Sequence, residues 1–367
     1  MATVCAPELV WPEHVIGQDA MVEAVAGRRA GLPHLGRGLE VMRNTEVATR
    51  RMVRSLDDTL GDALAGAGFG ARNQLYATHA VRLGAEAGRR ALASARVDPI
   101  DVDALVVVSC TGYMLPGPDA YIAAQLGLRA TVRRLPIQQL GCAAGGTAIA
   151  QAHDFLRAHP YRYQDGRPTN HTNALVIAVE LCSLSYQPDR TSISDFISVG
   201  LFGDGAAATV VRGDDQAPGP RLIANAQHLV PDSTQVIAGT TSEEGFHFAT
   251  NPKVRTTVPM VIPVIERFLE QHGTKPGDLE FVICHTGGPA VLRAVAEGLD
   301  LPTELLELSW QSLREVGNVS SVVVLDVLAR TFRQQRPEHD ATGLLLAFGP
   351  GFTTEMVLCT WNEPPGR

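Results

Sequence analysis

Two hydrophobic rhythms alternate along this chain. Residues 78–95, THAVRLGAEAGRRALASA, gather Ala, Leu and Val on one face with arginines opposite, which predicts an amphipathic helix. After the short DPIDVD loop, ALVVVSCTG is apolar throughout, as expected of a strand covered on both faces. IQQLGC leads into AAGGTAIAQAHDFLRAH, a buried strand end turning into a helix. ALVIAVELCS (174–183) reads as a further buried strand, and LFGDGAAATVVRG as strand, tight turn, strand. Before residue 174, the stretch 159–173 (HPYRYQDGRPTNHTN) is polar and turn-rich, which predicts an exposed loop.

The second half repeats that order. VPMVIPVIERFLEQHG predicts a helix, GDLEFVICHTGG a strand and PAVLRAVAEGL a helix. VGNVSSVVVLDVLARTF predicts another turn into a helix, and LLLAFGPGFTTEMVLCTW a strand pair around a Gly-Pro-Gly turn. Cys110 and His285 each end a predicted strand, 175 residues apart, while Cys142 and Asn318 each follow a glycine that opens a helix, 176 apart. Landmarks in one order at nearly one offset point to an internal duplication. The fold class expected is therefore α/β, a duplicated layered sandwich of two mixed sheets with helices. The polar connector GDDQAPGPR (213–221) places the boundary between halves 1–215 and 216–367.

A duplication brings equivalent helix starts together across a pseudo-twofold axis, and hence Cys142, His285 and Asn318 into one pocket. A thiol at a helix N-terminus meets unpaired N–H groups and the positive end of the helix dipole, which favour thiolate. An imidazole beside it would favour thiolate further as an ion pair. A carboxamide neither gives nor takes a proton at neutral pH, so Asn318 can only hold and polarise an oxygen. The trio suits a reaction in which negative charge appears on a thioester oxygen: decarboxylation of a malonyl thioester, and attack of the resulting enolate on an acyl group held by the cysteine. Singly, each residue also has a packing role open to it: a core cysteine, a hydrogen-bonded core histidine, a helix-capping asparagine. Jointly, at equivalent points of a duplication, they favour chemistry.

Composition narrows the field. The 367 residues are 45% hydrophobic and 19% charged, with a formal net charge of −8, so the basic footprint of a nucleic-acid binder is missing. Only two of the 31 basic residues are lysines, Lys253 and Lys275. Six cysteines without C-x-x-C spacing support neither a zinc site nor a disulfide framework, and no metal is expected. The opening MATVCAPELVWPEH lacks the basic-then-apolar order of a secretory leader, and no apolar run approaches a membrane span of roughly 20 residues. A cytoplasmic, reduced location is expected.

Gly141-Cys142 with AAGGT, His285 in HTGGP, Asn318 in GNVSS and the late FGPGFTTE together resemble the type III polyketide synthases, the chalcone-synthase-like branch of the thiolase superfamily, over essentially the whole chain. GCAAGGTAIAQAHDF, SCTGYMLPG and ELCSLSYQP are most similar to bacterial members, tetrahydroxynaphthalene synthases among them. The resemblance implies the thiolase-like αβαβα fold and a homodimer that takes malonyl-CoA and an acyl-CoA starter without an acyl carrier protein, the coenzyme A thioesters being substrates rather than a resident cofactor. It implies Cys142 as acyl acceptor, and His285 and Asn318 as drivers of decarboxylation. Phe202 and Phe248 fall on its gatekeeping positions, and Cys110, Thr111, Cys182, Leu184, Ser185, Gly239, Phe246 and Ser320 on positions that shape its cavity. Leu115 matches the residue that reaches across the dimer interface.

The glycine at 239, where some bacterial relatives carry tyrosine, implies room for a larger starter. Coenzyme A phosphates need cations, and the corresponding basic residues are Arg43, Arg50, Arg51, Arg54 and Lys253. Gly349 and Gly351 in the FGPG turn are expected to bring N–H groups near Cys142; Ala347 replaces the first glycine of the family's usual turn. A ketoacyl carrier-protein synthase of the initiating kind shares the fold and trio, but HTGGP and the paired Gln138-Gln139 favour the polyketide reading. A thiolase needs a second active-site cysteine, whereas Cys359 sits in a strand. A cysteine hydrolase needs a base oriented for water, and a non-catalytic scaffold does not need the trio intact.

Overall fold

The computed structural model describes residues 2–32, 34–61, 66–159, 162–164, 167–169, 172–187, 190–250 and 254–364. Alternate side chains along the central strands enter different cores, as the two-residue strand period requires. Leu105 and Val107 pack with Leu175, Ile177 and Val179 beneath the long helix Phe69–Ala95. Ala104, Val106 and Val108, with Val176 and Ala178, face the other way, onto Ala148, Ile149, Val323, Val324 and Leu325 of two central helices. In the second half Ile283 and Leu345 join that same central layer, while Val282, Leu344 and Leu346 enter an outer core with Ile265, Leu292 and Val295. The order is helix, sheet, paired helices, sheet, helix.

The strands join edge to edge in a mixed sheet of ten. In order they are Phe281–Cys284, Thr342–Gly349, Thr353–Asn362, Gly219–Leu229, Ala2–Val4, Asp204–Arg212, Asn173–Leu181, Ala104–Val108 and Arg133–Ile137, with Glu8–Val10 also on Asp204–Arg212. Ala104–Val108 runs parallel to both of its neighbours and Phe281–Cys284 parallel to Thr342–Gly349; the other pairs are antiparallel. The sheets of the two halves are thus continuous rather than separate. The short strand Ala2–Val4 bonds to Asp204–Arg212 on one edge and Gly219–Leu229 on the other.

Two local readings change. The helix read over 78–95 starts at Phe69, because its first turns carry Asn73 and Tyr76 rather than an aliphatic stripe. Within 159–173, two three-residue strands, Arg162–Gln164 and Arg167–Thr169, pair as a hairpin. No described helix is long and apolar enough to cross a membrane.

Candidate active site

The site forms where the two central helices begin. Gly141–Ala143 makes a 3-10 turn into the helix Ala144–Ala158, and Ser320–Val322 makes the matching turn into Val323–Gln334. The helices meet because of Gly145: a β-carbon there would lie 2.1 Å from the Ser321 carbonyl oxygen and 2.7 Å from Val324. Cys142 and Asn318 therefore face each other across the pseudo-twofold axis, with Sγ 3.9 Å from both Nδ2 and Oδ1 of the carboxamide.

Asn318 is held by its neighbours. Its N–H donates to Leu201 O at 2.9 Å and its carbonyl accepts from the Gly203 N–H at 3.1 Å, so the second half is stitched to the first at this residue. Oδ1 accepts from the Ser320 N–H at 2.8 Å. That bond fixes the amide plane and leaves Nδ2 as the donor toward the site. His285 follows the strand Phe281–Cys284, with its N–H bonded to Leu346 O at 2.9 Å. Its ring is buried, and neither nitrogen has a hydrogen-bond partner of full geometry. The Asn318 carboxamide is still near enough to favour the protonated ring.

Burial opposes charge on either group alone. It pushes the Cys142 thiol up to about 12; the Ser320 hydroxyl and the Asn318 amide pull it back, while Glu180 adds to the rise. It pushes the His285 imidazole down to about 4. Burial thus disfavours the charged form of each group, against the ion pair expected from the sequence. Desolvation dominates until a proton passes between the two groups or a substrate arrives. The N–H groups at the start of the helix Ala144–Ala158 favour the sulfur anion.

Cys142 opens on a cavity of about 550 Å³ whose wall includes Cys110, Thr111, Cys182, Leu184, Ser185, Gly239, Phe246 and Ser320, all positions named from the sequence. Phe202 and Phe248 also line it and meet edge to face, with ring centroids 5.2 Å apart. A second cavity of about 550 Å³ lies beyond the segment that ends in Phe202: Ile197 and Leu201 face it, while Ser198 and Phe202 face the first. Gly287, packed against the His285 ring, lines this outer cavity with Arg43 and Arg293.

The expectation for Arg50 is corrected. Arg50 is fully buried, with its guanidinium donating to Val199 O (2.6 Å) and Gly200 O (3.0 Å) and bonded to Gln18, so it is a structural cation unavailable to a phosphate. Arg51 lies within the strand Thr49–Met52 and Arg54 beside Asp58 at 3.7 Å; neither lines the outer cavity. Of the basic residues named for coenzyme A, only Arg43 reaches it, and Lys253 lies outside the described residues. Leu115 does not line the cavity of its own chain and is 86% exposed.

In the FGPG turn it is Pro350 that lines the cavity. Gly349 packs on the nucleophile turn, where a β-carbon would lie 2.5 Å from Leu140 O, and Gly351 faces Leu229. Nor is the space at Gly239 open: a β-carbon there would sit 2.3 Å from Cζ of Phe246, whose ring fills it.

Sequence reasoning passed over Glu180. This fully buried carboxylate accepts from the Cys110 N–H (3.0 Å) and the hydroxyls of Thr111 (3.0 Å), Ser320 (3.3 Å) and Ser321 (2.5 Å), tying both halves together behind the sulfur. Burial raises its pKa and those donors lower it. A lone acidic residue in the apolar run ALVIAVELCS was the available signal. Phe69, Arg72 and Asn73, in the unread first turn of the long helix, also line the cavity. Among the described residues no cluster of three or more His, Cys, Asp or Glu side chains is placed to hold a metal.

Residues 2–215 match the chalcone and stilbene synthase N-terminal domain, and residues 221–361 the C-terminal domain. The chain is 41% identical to a 1,3,6,8-tetrahydroxynaphthalene synthase of Streptomyces griseus, over 99% of this chain and 94% of that protein. It is 37% identical to a phloroglucinol synthase of Pseudomonas fluorescens, over 99% and 100% of the two chains. The crystal structure of the Streptomyces coelicolor tetrahydroxynaphthalene synthase superposes with a TM-score of 0.92 at 38% identity, covering 98% of this chain and 99% of the other.

Proposed function

Since the chain belongs to the chalcone and stilbene synthase family and is a type III polyketide synthase, an acyltransferase, we propose that it extends an acyl-CoA starter with malonyl-CoA by iterative decarboxylative Claisen condensation on Cys142. The observation that carries this reading is the meeting of Cys142, on the wall of a cavity, with the Asn318 amide at 3.9 Å, from equivalent helix starts.

In the first step the Cys142 sulfur attacks the starter thioester, its proton leaves by way of His285, and coenzyme A departs as the thiol. Malonyl-CoA then enters with its thioester oxygen toward Asn318 Nδ2 and the neutral His285 ring. Loss of CO₂ leaves the bonding pair as an enolate, whose oxygen takes those two hydrogen bonds. The uncharged ring donates without surrendering a proton, which an acid stronger than the enol would do. The enolate carbon attacks the acyl carbonyl on Cys142, the carbon–sulfur bond breaks, and the chain is two carbons longer on coenzyme A. Transfer back to the sulfur repeats the cycle.

The two phenylalanines act as the gate between an outer cavity that takes the pantetheine arm and an inner one that takes the growing chain. Arg43 is the phosphate contact. No acyl carrier protein is required. The enzyme works as a homodimer, with Leu115 of the partner subunit reaching the cavity; the 86% exposure of Leu115 and 54% of Tyr113 beside it support such a contact.

The test is mass spectrometry of products from malonyl-CoA with a panel of acyl-CoA starters. Cys142→Ala is expected to lose polyketide formation while still decarboxylating malonyl-CoA slowly; undiminished product would refute the assignment.

A further inference from the structure

A hairpin that lines the same cavity as Cys142 pairs Ile237–Ser242 with Gly245–Thr250, placing Gly239 across from Phe248 and Thr241 across from Phe246. Gly239, Thr241, Phe246 and Phe248 all line the cavity, on one face of the pleat. The Phe246 ring leans along the ribbon onto Gly239, with Cζ and Cε2 2.3 and 2.5 Å from where a β-carbon at 239 would sit. A side chain at 239 and the ring at 246 are therefore alternative occupants of one volume. The backbone under the ring is fixed from outside. His247, between the two phenylalanines and so on the opposite face, bonds Asp195 at 2.6 Å, and Gln187 donates to Phe246 O at 3.2 Å.

We propose that Phe246 is the residue that limits starter size: its ring supplies the wall that Gly239 omits, so the enzyme selects short starters, of the size of malonyl or acetyl, over long or bulky acyl groups. This rests on the polyketide synthase reading and deepens it. It also reverses the expectation drawn from Gly239 alone, because a glycine enlarges a pocket only if nothing else enters the space. His247 and Gln187 are positioning residues that keep the ring aimed inward.

The experiment pairs malonyl-CoA as extender with acyl-CoA starters of increasing length, reading kcat/KM and product masses for the wild type, Phe246→Ala, Phe246→Leu and the exchange Gly239→Phe/Phe246→Gly. The wild type should use short starters. Phe246→Ala should raise kcat/KM for an eight-carbon or longer starter, relative to the short one, by at least about tenfold. The exchange should return the profile toward wild type. Phe246→Leu, the gentler change, should move the same way by less, and it carries the comparison if the alanine variant does not fold. A wild type that prefers long starters, truncations that leave the profile unchanged, or an exchange that behaves as the alanine variant would each overturn the proposal while leaving polyketide synthesis intact. A wild type that makes no polyketide from any starter removes both readings together.

Discussion

A buried sulfur and a buried imidazole, each pushed toward its uncharged form by burial, define the chemistry at the scale of single residues. An isolated charge at either place would cost several kcal/mol, so a thiolate and an imidazolium are favourable only as partners. It follows that His285→Gln should raise the pH at which Cys142 becomes reactive, because the sulfur then ionises without a compensating cation. The sign is that of a thiol losing its proton acceptor: without the imidazolium that the transfer would create, the thiolate is less stable and its fraction at a given pH falls. Iodoacetamide alkylation of Cys142 followed against pH is the measurement. The inflection should sit higher in the variant than in the wild type; coincident curves would remove His285 from activation of the sulfur.

Elements matter through what they hold in register. Glu180 lies next to the last residue of the strand Asn173–Leu181 and receives donors from the loop after Ala104–Val108 and from the turn before Val323–Gln334, so three elements converge on one carboxylate. Glu180→Gln presents an NH₂ where only acceptors fit. The orphaned donors should cost about 1–3 kcal/mol each, read as a lower urea midpoint together with a fall in condensation rate. A variant as stable as the wild type would mean that the network is not structural.

This is also the scale at which the sequence was most and least legible. Buried strands and the two nucleating helix starts announce themselves as apolar runs and glycine turns, which is why Cys142, His285 and Asn318 could be named together. Arg50 could not be read correctly, because nothing in TRRM distinguishes a guanidinium facing solvent from one facing the carbonyls of Val199 and Gly200. The start of the helix at Phe69 escaped because its first turns serve the cavity rather than an aliphatic core. Gly239 misled for the opposite reason: its own lack of a side chain was visible, but the ring that fills the space comes from seven residues later.

At the scale of the molecule, duplication builds one sheet and one site. Ala2–Val4 closes the gap between the halves, and Asn318 is bonded through its backbone to Leu201 and Gly203 of the other half. Leu115 and Tyr113 are exposed, and the proposed dimer would place them against a second copy. Leu115→Asp should weaken the dimer in analytical ultracentrifugation and lower activity in parallel, whereas an active, monomeric wild type would contradict the proposed assembly. The central claim, that the growing chain is carried on one sulfur, is tested most directly by quenching the enzyme during turnover with an acyl-CoA starter and mapping adducts peptide by peptide in the mass spectrometer. The starter and its two-carbon extensions should appear on the peptide containing Cys142. Continued product formation with that peptide unmodified, and the acyl groups on Cys110, Cys182 or nowhere, would contradict it.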